Sequence, residues 1–276
     1  MISVVFGVLA ALIWGGGTLA LREAARSVPA HAFALWFSLY SVILLVPLAA
    51  IAATHGVPAA VVLATSALAG VAQATGTLVY GRALATTDVV VIGPLVALEG
   101  AFATIYAVLA GHPLGLEVAA GLILVTVGGA AVGIPRRAAT RTGGAGLAVV
   151  AAAMYGLVLW AVGSDEASTA ITLVTLNGVA TVALGSAART MPAPRALALR
   201  SHAMLAIGAG TNVAGYFAYA AGAHGGSLPV TAVLGAQFAI VAAAGGYVLH
   251  GERLSRRQLA GAALLLVGVS TLAAWG

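Results

Sequence analysis

Apolar residues in this chain form long blocks, without the strict alternation of a half-buried strand or the narrow stripe of a soluble amphipathic helix. Ten blocks can be read, at roughly 2–21, 32–53, 57–79, 89–110, 115–134, 144–163, 170–188, 203–223, 228–249 and 258–275. Short polar or Gly/Pro-marked segments separate them, such as Arg22-Glu23 with Pro29, Gly111-His112-Pro113 and Pro135-Arg136-Arg137. A bilayer core about 30 Å thick needs about 20 mostly apolar residues per helix, so each block predicts a transmembrane helix. The missing alternation argues against a β-barrel. The first block has no positively charged leader and no clear small-residue cleavage site, so it is taken as a span and not as a signal peptide.

Composition removes the soluble alternatives. Hydrophobic residues make up 62% of the 276 positions and charged residues 7%, against about a quarter charged in an average soluble domain. A water-soluble globule of this size could not cover its surface with so few charges. A disulfide scaffold is excluded because there is no cysteine, and an ordinary cytosolic enzyme is excluded by the same charge count. The expected fold is an all-α membrane protein of ten transmembrane helices.

Charge then sets orientation. All 12 basic residues are arginines, and all 12 lie in the odd-numbered breaks, while the even-numbered breaks hold none and carry Asp165 and Glu166. By the positive-inside rule the odd breaks are cytoplasmic and both termini lie on the other side. The arginines sit in short clusters between apolar blocks, so the basic balance is no nucleic-acid signal.

The chain also repeats itself. Gly111-His112-Pro113-Leu114-Gly115-Leu116-Glu117 through Gly121 aligns with Gly251-Glu252-Arg253-Leu254-Ser255-Arg256-Arg257 through Gly261 at an offset of 140. Trp14-Gly15 in the first block matches Tyr155-Gly156 in the sixth at an offset of 141. The expected organisation is a five-helix unit over 1–134, a cytoplasmic linker over 135–143 and a second five-helix unit over 144–276. Five spans per unit force opposite orientations, the inverted-repeat design of many alternating-access transporters.

Gly251-Glu252-Arg253-Leu254 through Gln258 and Gly261 resembles the G-E-x-L-x-x-x-Q-x-x-G segment before the last span of EamA-type members of the drug/metabolite transporter superfamily. Trp14-Gly15 in the first span and Pro94 in the fourth fit the same pattern. The resemblance implies ten spans in two halves and export of small metabolites, and it is nearly silent on substrate. Two positions depart from the pattern: His112 stands where the first-half copy would carry Glu, and Trp36 where many members carry Arg. Such members are usually described with both termini in the cytoplasm, opposite to the arginine distribution here.

Glu99 is the candidate for coupling. It lies midway along the fourth block, where a carboxylate costs ~2.5–3.5 kcal/mol on insertion scales. It reads either as a proton-coupling or ammonium-binding group facing a cavity, or as a hydrogen-bonded interhelical contact. Trp14, Tyr155, Gln73, Tyr80, Asn212, Tyr216 and Tyr219 are aromatic and polar residues that a midplane cavity could use to stack a solute and bond its polar head; packing between helices is the alternative for each. Glu252 beside Arg253 and Arg256 is a candidate gate or loop anchor. Gly15-Gly16-Gly17 has no following Lys-Ser/Thr and so is no phosphate loop. The six histidines fall at block ends, without metal-ligand spacing, and read as solvated interfacial groups. No cofactor or metal is expected.

Three function classes remain. The favoured one is a secondary active or facilitated exporter of small metabolites, such as amino acids or related amphipathic solutes. A non-transporting membrane subunit or sensor would fit a large soluble partner-binding tail, and an intramembrane enzyme would need two catalytic groups at one depth where the sequence offers only Glu99. The expected setting is the bacterial inner membrane, multi-pass, with lipid and a small solute as partners and no nucleic acid. The expected assembly is a monomer, with a homodimer as the alternative.

Overall fold

A computed structural model of the chain describes residues 1–86, 92, 95–112, 114–132, 144–164, 168–189, 197–238, 240–241 and 256–275. Among them lie ten helices: α1 (Ile2–Ser27), α2 (Ala30–Ala53), α3 (Ala60–Thr86), α4 (Glu99–Leu109), α5 (Leu116–Val132), α6 (Ala145–Ser164), α7 (Thr169–Ala188), α8 (Leu199–His224), α9 (Leu228–Gly235) and α10 (Arg256–Trp275). Each apolar block holds one of them, and no strand occurs among the described residues. In lipid, backbone groups have no water to bond, so a closed helical ladder is the simplest way to satisfy them. Four of the helices, α2, α3, α6 and α7, are long and apolar enough to cross a membrane by length and composition alone.

Several ends differ from the apolar pattern for a simple reason: a helical ladder does not stop where apolarity stops. α1 continues through Arg22, Glu23 and Arg26, all good helix formers, and stops before Pro29, where the Val28 N–H still reaches the Ala24 carbonyl at 3.0 Å. α3 begins after Pro58 and runs on to Thr86, past the predicted end at 79. Gly56 and Gly111 turn the chain after α2 and α4 with φ of 133° and 94°, a region that favours glycine. Hydroxyls inside the helices fold back onto their own ladder, as Thr77 Oγ1 does to the Gln73 carbonyl at 2.8 Å and Ser41 Oγ to that of Phe37 at 3.0 Å.

The fourth and ninth blocks do not run as unbroken helices. Residues 97–98 form a turn before α4, and residues 236–237 form a turn after α9. At both places the ladder slips to shorter three-residue closures, Leu98 N to Leu95 O at 3.4 Å and Gln237 N to Leu234 O at 3.1 Å.

The helices pack in a pattern with its own symmetry. α1 lies along α8 and α3 along α6; α1 also meets α9 and α6 meets α4; α2 meets α8 and α7 meets α3. α5 pairs with α10, α2 with α7 and α4 with α9. Exchanging the first five helices for the second five maps each of these pairs onto another or onto itself. The outer surface is apolar: Ile43, Leu44, Val46, Leu48 and Ile51 along α2 are all exposed, a strip that lipid suits and water does not. The molecule is a multi-pass membrane protein.

Candidate functional site

Where α1, α3, α6 and α8 meet, a cavity of about 110 Å³ opens against the start of α4. Its walls include Trp14, Gln73, Tyr80, Glu99, Tyr155, Asn212 and Tyr216. The structure therefore gathers seven residues singled out in the sequence around one space. Tyr219 is not in the wall. It is fully buried behind it, its ring 6.2 Å from that of Trp14 and its hydroxyl donating to the Leu159 carbonyl at 2.8 Å. Glu252, the gate candidate, and Pro94 lie outside the described residues.

The wall is built twice. Trp14 on α1 donates from Nε1 to the Asn212 carbonyl on α8 at 3.2 Å and meets the Tyr216 ring edge-on at 5.3 Å. Its counterpart Tyr155 on α6 donates from its hydroxyl to Thr77 Oγ1 on α3 at 3.2 Å and meets the Tyr80 ring edge-on at 6.3 Å. Each aromatic is let in by a missing side chain on the helix opposite: a Cβ at Gly215 would strike the Trp14 indole, and one at Gly76 would lie 3.0 Å from the Tyr155 ring. The glycine after each aromatic faces a broken block. A Cβ at Gly15 would come within 3.0 Å of the Phe238 carbonyl, and one at Gly156 within 2.9 Å of the Glu99 carbonyl. Gln73 and Asn212, Gly76 and Gly215, Tyr80 and Tyr219, and Glu99 and Phe238 are each 139 residues apart.

Glu99 breaks that match. It is 7% exposed and begins α4, where Phe238 stands in the other half. At a helix N-terminus the unpaired backbone N–H groups and the helix dipole favour a carboxylate. Gly100 presses against Ala232, Val233 and Ala236, so α4 and α9 cross at closest approach beside their breaks. No arginine or histidine occurs among the described lining residues, and the chain has no lysine.

Sequence reasoning missed Phe37, Thr18, Thr211 and Phe238, all of which line the cavity. For Phe238 a signal was present, since it lies 139 residues after Glu99, close to the offset of the matching segments. His55 and His112 are exposed, as their solvated reading expects, but two other histidines differ from it. His202 Nδ1 lies 2.7 Å from the Tyr40 hydroxyl, with the Trp36 ring edge-on at 4.9 Å, and His224 Nε2 lies 3.1 Å from the Val162 carbonyl.

A cavity lined by aromatic, amide and carboxylate side chains inside an apolar helical bundle is the feature the comparisons with known proteins have to fit. Residues 1–134, just under half of the chain, match the model of the EamA-like transporter family. Among solved structures, 23 chains resemble it. One crystal structure of a protein aligns with a TM-score of 0.74 at 17% identity, over 98% of this chain and 95% of its own. That likeness shows the fold alone. No curated protein matches the chain.

Proposed function

We propose that the chain is a secondary transporter of small metabolites, amino acids or related amphipathic solutes, and that it works by alternating access in the export direction. The observation that carries this reading is the twice-built cavity, with Trp14 and its hydrogen bond on one side and Tyr155 and its hydrogen bond on the other. Such a wall is what two inverted five-helix repeats, 1–134 and 144–276 with a linker over 135–143, would place at their shared axis. The exchange symmetry of the helix pairs supports the same arrangement. Rocking one repeat against the other would open the site first to one face and then to the other. The breaks at 97–98 and 236–237 are positions where such motion meets little ladder to disrupt.

In this reading Glu99 couples solute movement to protons. Among the described residues the other ionisable groups around it are Tyr80, Tyr155 and Tyr216 in the wall and Tyr219 behind it, and none of these is basic. Glu99→Gln keeps the shape and cannot titrate. In proteoliposomes the variant is expected to insert, bind and exchange solute, yet lose accumulation driven by a pH gradient. If pH-driven accumulation survives in Glu99→Gln, the coupling role is wrong and a facilitator driven by the solute's own gradient replaces it. The reading places the protein in a bacterial inner membrane as a monomer, with a homodimer as the alternative.

A further inference from the structure

We propose that the solute of this cavity is a small organic cation: an ammonium group on an apolar or aromatic body, with a neutral hydrogen-bond acceptor and no carboxylate of its own. The proposal rests on the transporter reading of the same cavity and narrows its substrate class. Four observations carry it. Among the described lining residues the only charged side chain is Glu99, and none of them is basic. Two of the four lining aromatics that carry a polar donor have it already engaged, Trp14 Nε1 by the Asn212 carbonyl and the Tyr155 hydroxyl by Thr77 Oγ1. The Thr18 and Thr211 hydroxyls are likewise turned to backbone carbonyls of their own helices, at 2.8 and 3.0 Å. Two polar atoms are left buried without partners in the wall, Gln73 Oε1 and Asn212 Nδ2.

Those leftovers describe a ligand. Gln73 Oε1 can accept from an ammonium N–H that also meets Glu99, and Asn212 Nδ2 can donate to a carbonyl or hydroxyl further along the solute. Ring faces of Trp14, Tyr80, Tyr155 and Tyr216 around a carboxylate are the surroundings in which a cation is held by charge and by the ring quadrupoles together. Among the described lining residues an anion finds no basic partner. A zwitterion would bring a second carboxylate beside Glu99 with no guanidinium or ammonium to neutralise it, and an unpaired buried charge is costly. Among amino-acid-like solutes this selects amines, amides and esters over the free acids. The cavity, of about 110 Å³, is partly open, so a small solute can lie in it with one end extending beyond its walls.

The test uses the purified full chain in detergent with benzylamine, benzyl alcohol, benzoate and phenylalanine, read by equilibrium binding and by the shift of the thermal unfolding midpoint. Benzylamine is expected to bind about tenfold tighter than benzyl alcohol, as for a hydrogen bond to a charged group, and benzoate and phenylalanine weaker than either. Glu99→Gln is expected to erase the margin of benzylamine over benzyl alcohol, and excess benzylamine to protect a cysteine placed at Thr18 from alkylation. Benzoate or phenylalanine binding as tightly as benzylamine overturns the proposal, as does equal binding of the amine and the alcohol by the native chain, which needs no variant to fold. Failure of the transporter reading looks different: benzylamine binds at the cavity, but proteoliposomes show no counterflow of it.

Discussion

At the scale of the residue, the cavity exists because particular positions lack side chains. Gly156 lets α6 settle on α4, and an added Cβ there would meet Phe102 Cβ at 2.5 Å and the backbone of Glu99 and Ala103 at 2.9 and 3.0 Å. Backbone atoms cannot swing aside as a flexible side-chain end can. Gly156→Ala is therefore expected to lower stability by about 1–3 kcal/mol, the usual cost of overpacking. Gly16 has nothing within 4 Å of its would-be Cβ, so Gly16→Ala should leave the unfolding midpoint unchanged or slightly raised, since Ala is the better helix former. Thermal unfolding of the two purified variants in one detergent checks the pair, and equal losses would show that α6 does not rest on α4 in this way. Tyr219 gives a milder case. Its hydroxyl spends its proton on the Leu159 carbonyl at 2.8 Å, and Tyr219→Phe is expected to cost about 1 kcal/mol, the net worth of one such bond.

At the scale of the element, much was legible and the remainder was hidden for physical reasons. The ten blocks could be read because bilayer thickness fixes the length of an apolar run, and each block does hold a helix. Trp14 and Tyr155 could be read as a pair because a repeat leaves a sequence trace. The turns at 97–98 and 236–237 left little trace, since apolar residues continue through them and only the backbone ladder changes. The partners of His202 were invisible because Trp36 and Tyr40 are joined to it only by the packing of α2 on α8. Which helices pair is likewise a property of packing, and it can be tested directly. The natural chain has no cysteine, so introduced pairs report without background. A Cβ built at Gly235 lies 3.7 Å from Ala10 Cβ, inside the range of about 3.5–4.5 Å that a disulfide spans. Ala10→Cys with Gly235→Cys should therefore cross-link α1 to α9 on mild oxidation, seen as a shift in gel mobility that a reductant reverses. A pair that stays reduced under oxidant would place α9 away from α1.

At the scale of the whole molecule, what remains to be fixed is which way the bundle faces. The helix pairs look alike when the two halves are exchanged, so the pairing of helices alone contains no arrow. Charge supplies one. Arginines occupy the first, third, fifth, seventh and ninth connections and are absent from the second, fourth, sixth and eighth. Loops and span-flanking segments on the cytoplasmic side retain arginine, and it is the Lys/Arg bias, not net charge, that governs insertion. The two copies of the repeated segment obey the same rule: Arg253, Arg256 and Arg257 mark one, while the copy at His112 has no arginine. If the repeats are inverted, equivalent segments lie on opposite faces, and the rule would strip arginine from one of them. Both termini are therefore expected on the non-cytoplasmic side. A reporter enzyme active only outside the cytoplasm, fused after Gly276, should be active, and one that works only in the cytoplasm should be silent at that site. Fused in the segment 135–143, between the proposed repeats, the two reporters should exchange their behaviour. Cytoplasmic activity at Gly276 would mean the molecule inserts the other way up, with its arginines on the outer face.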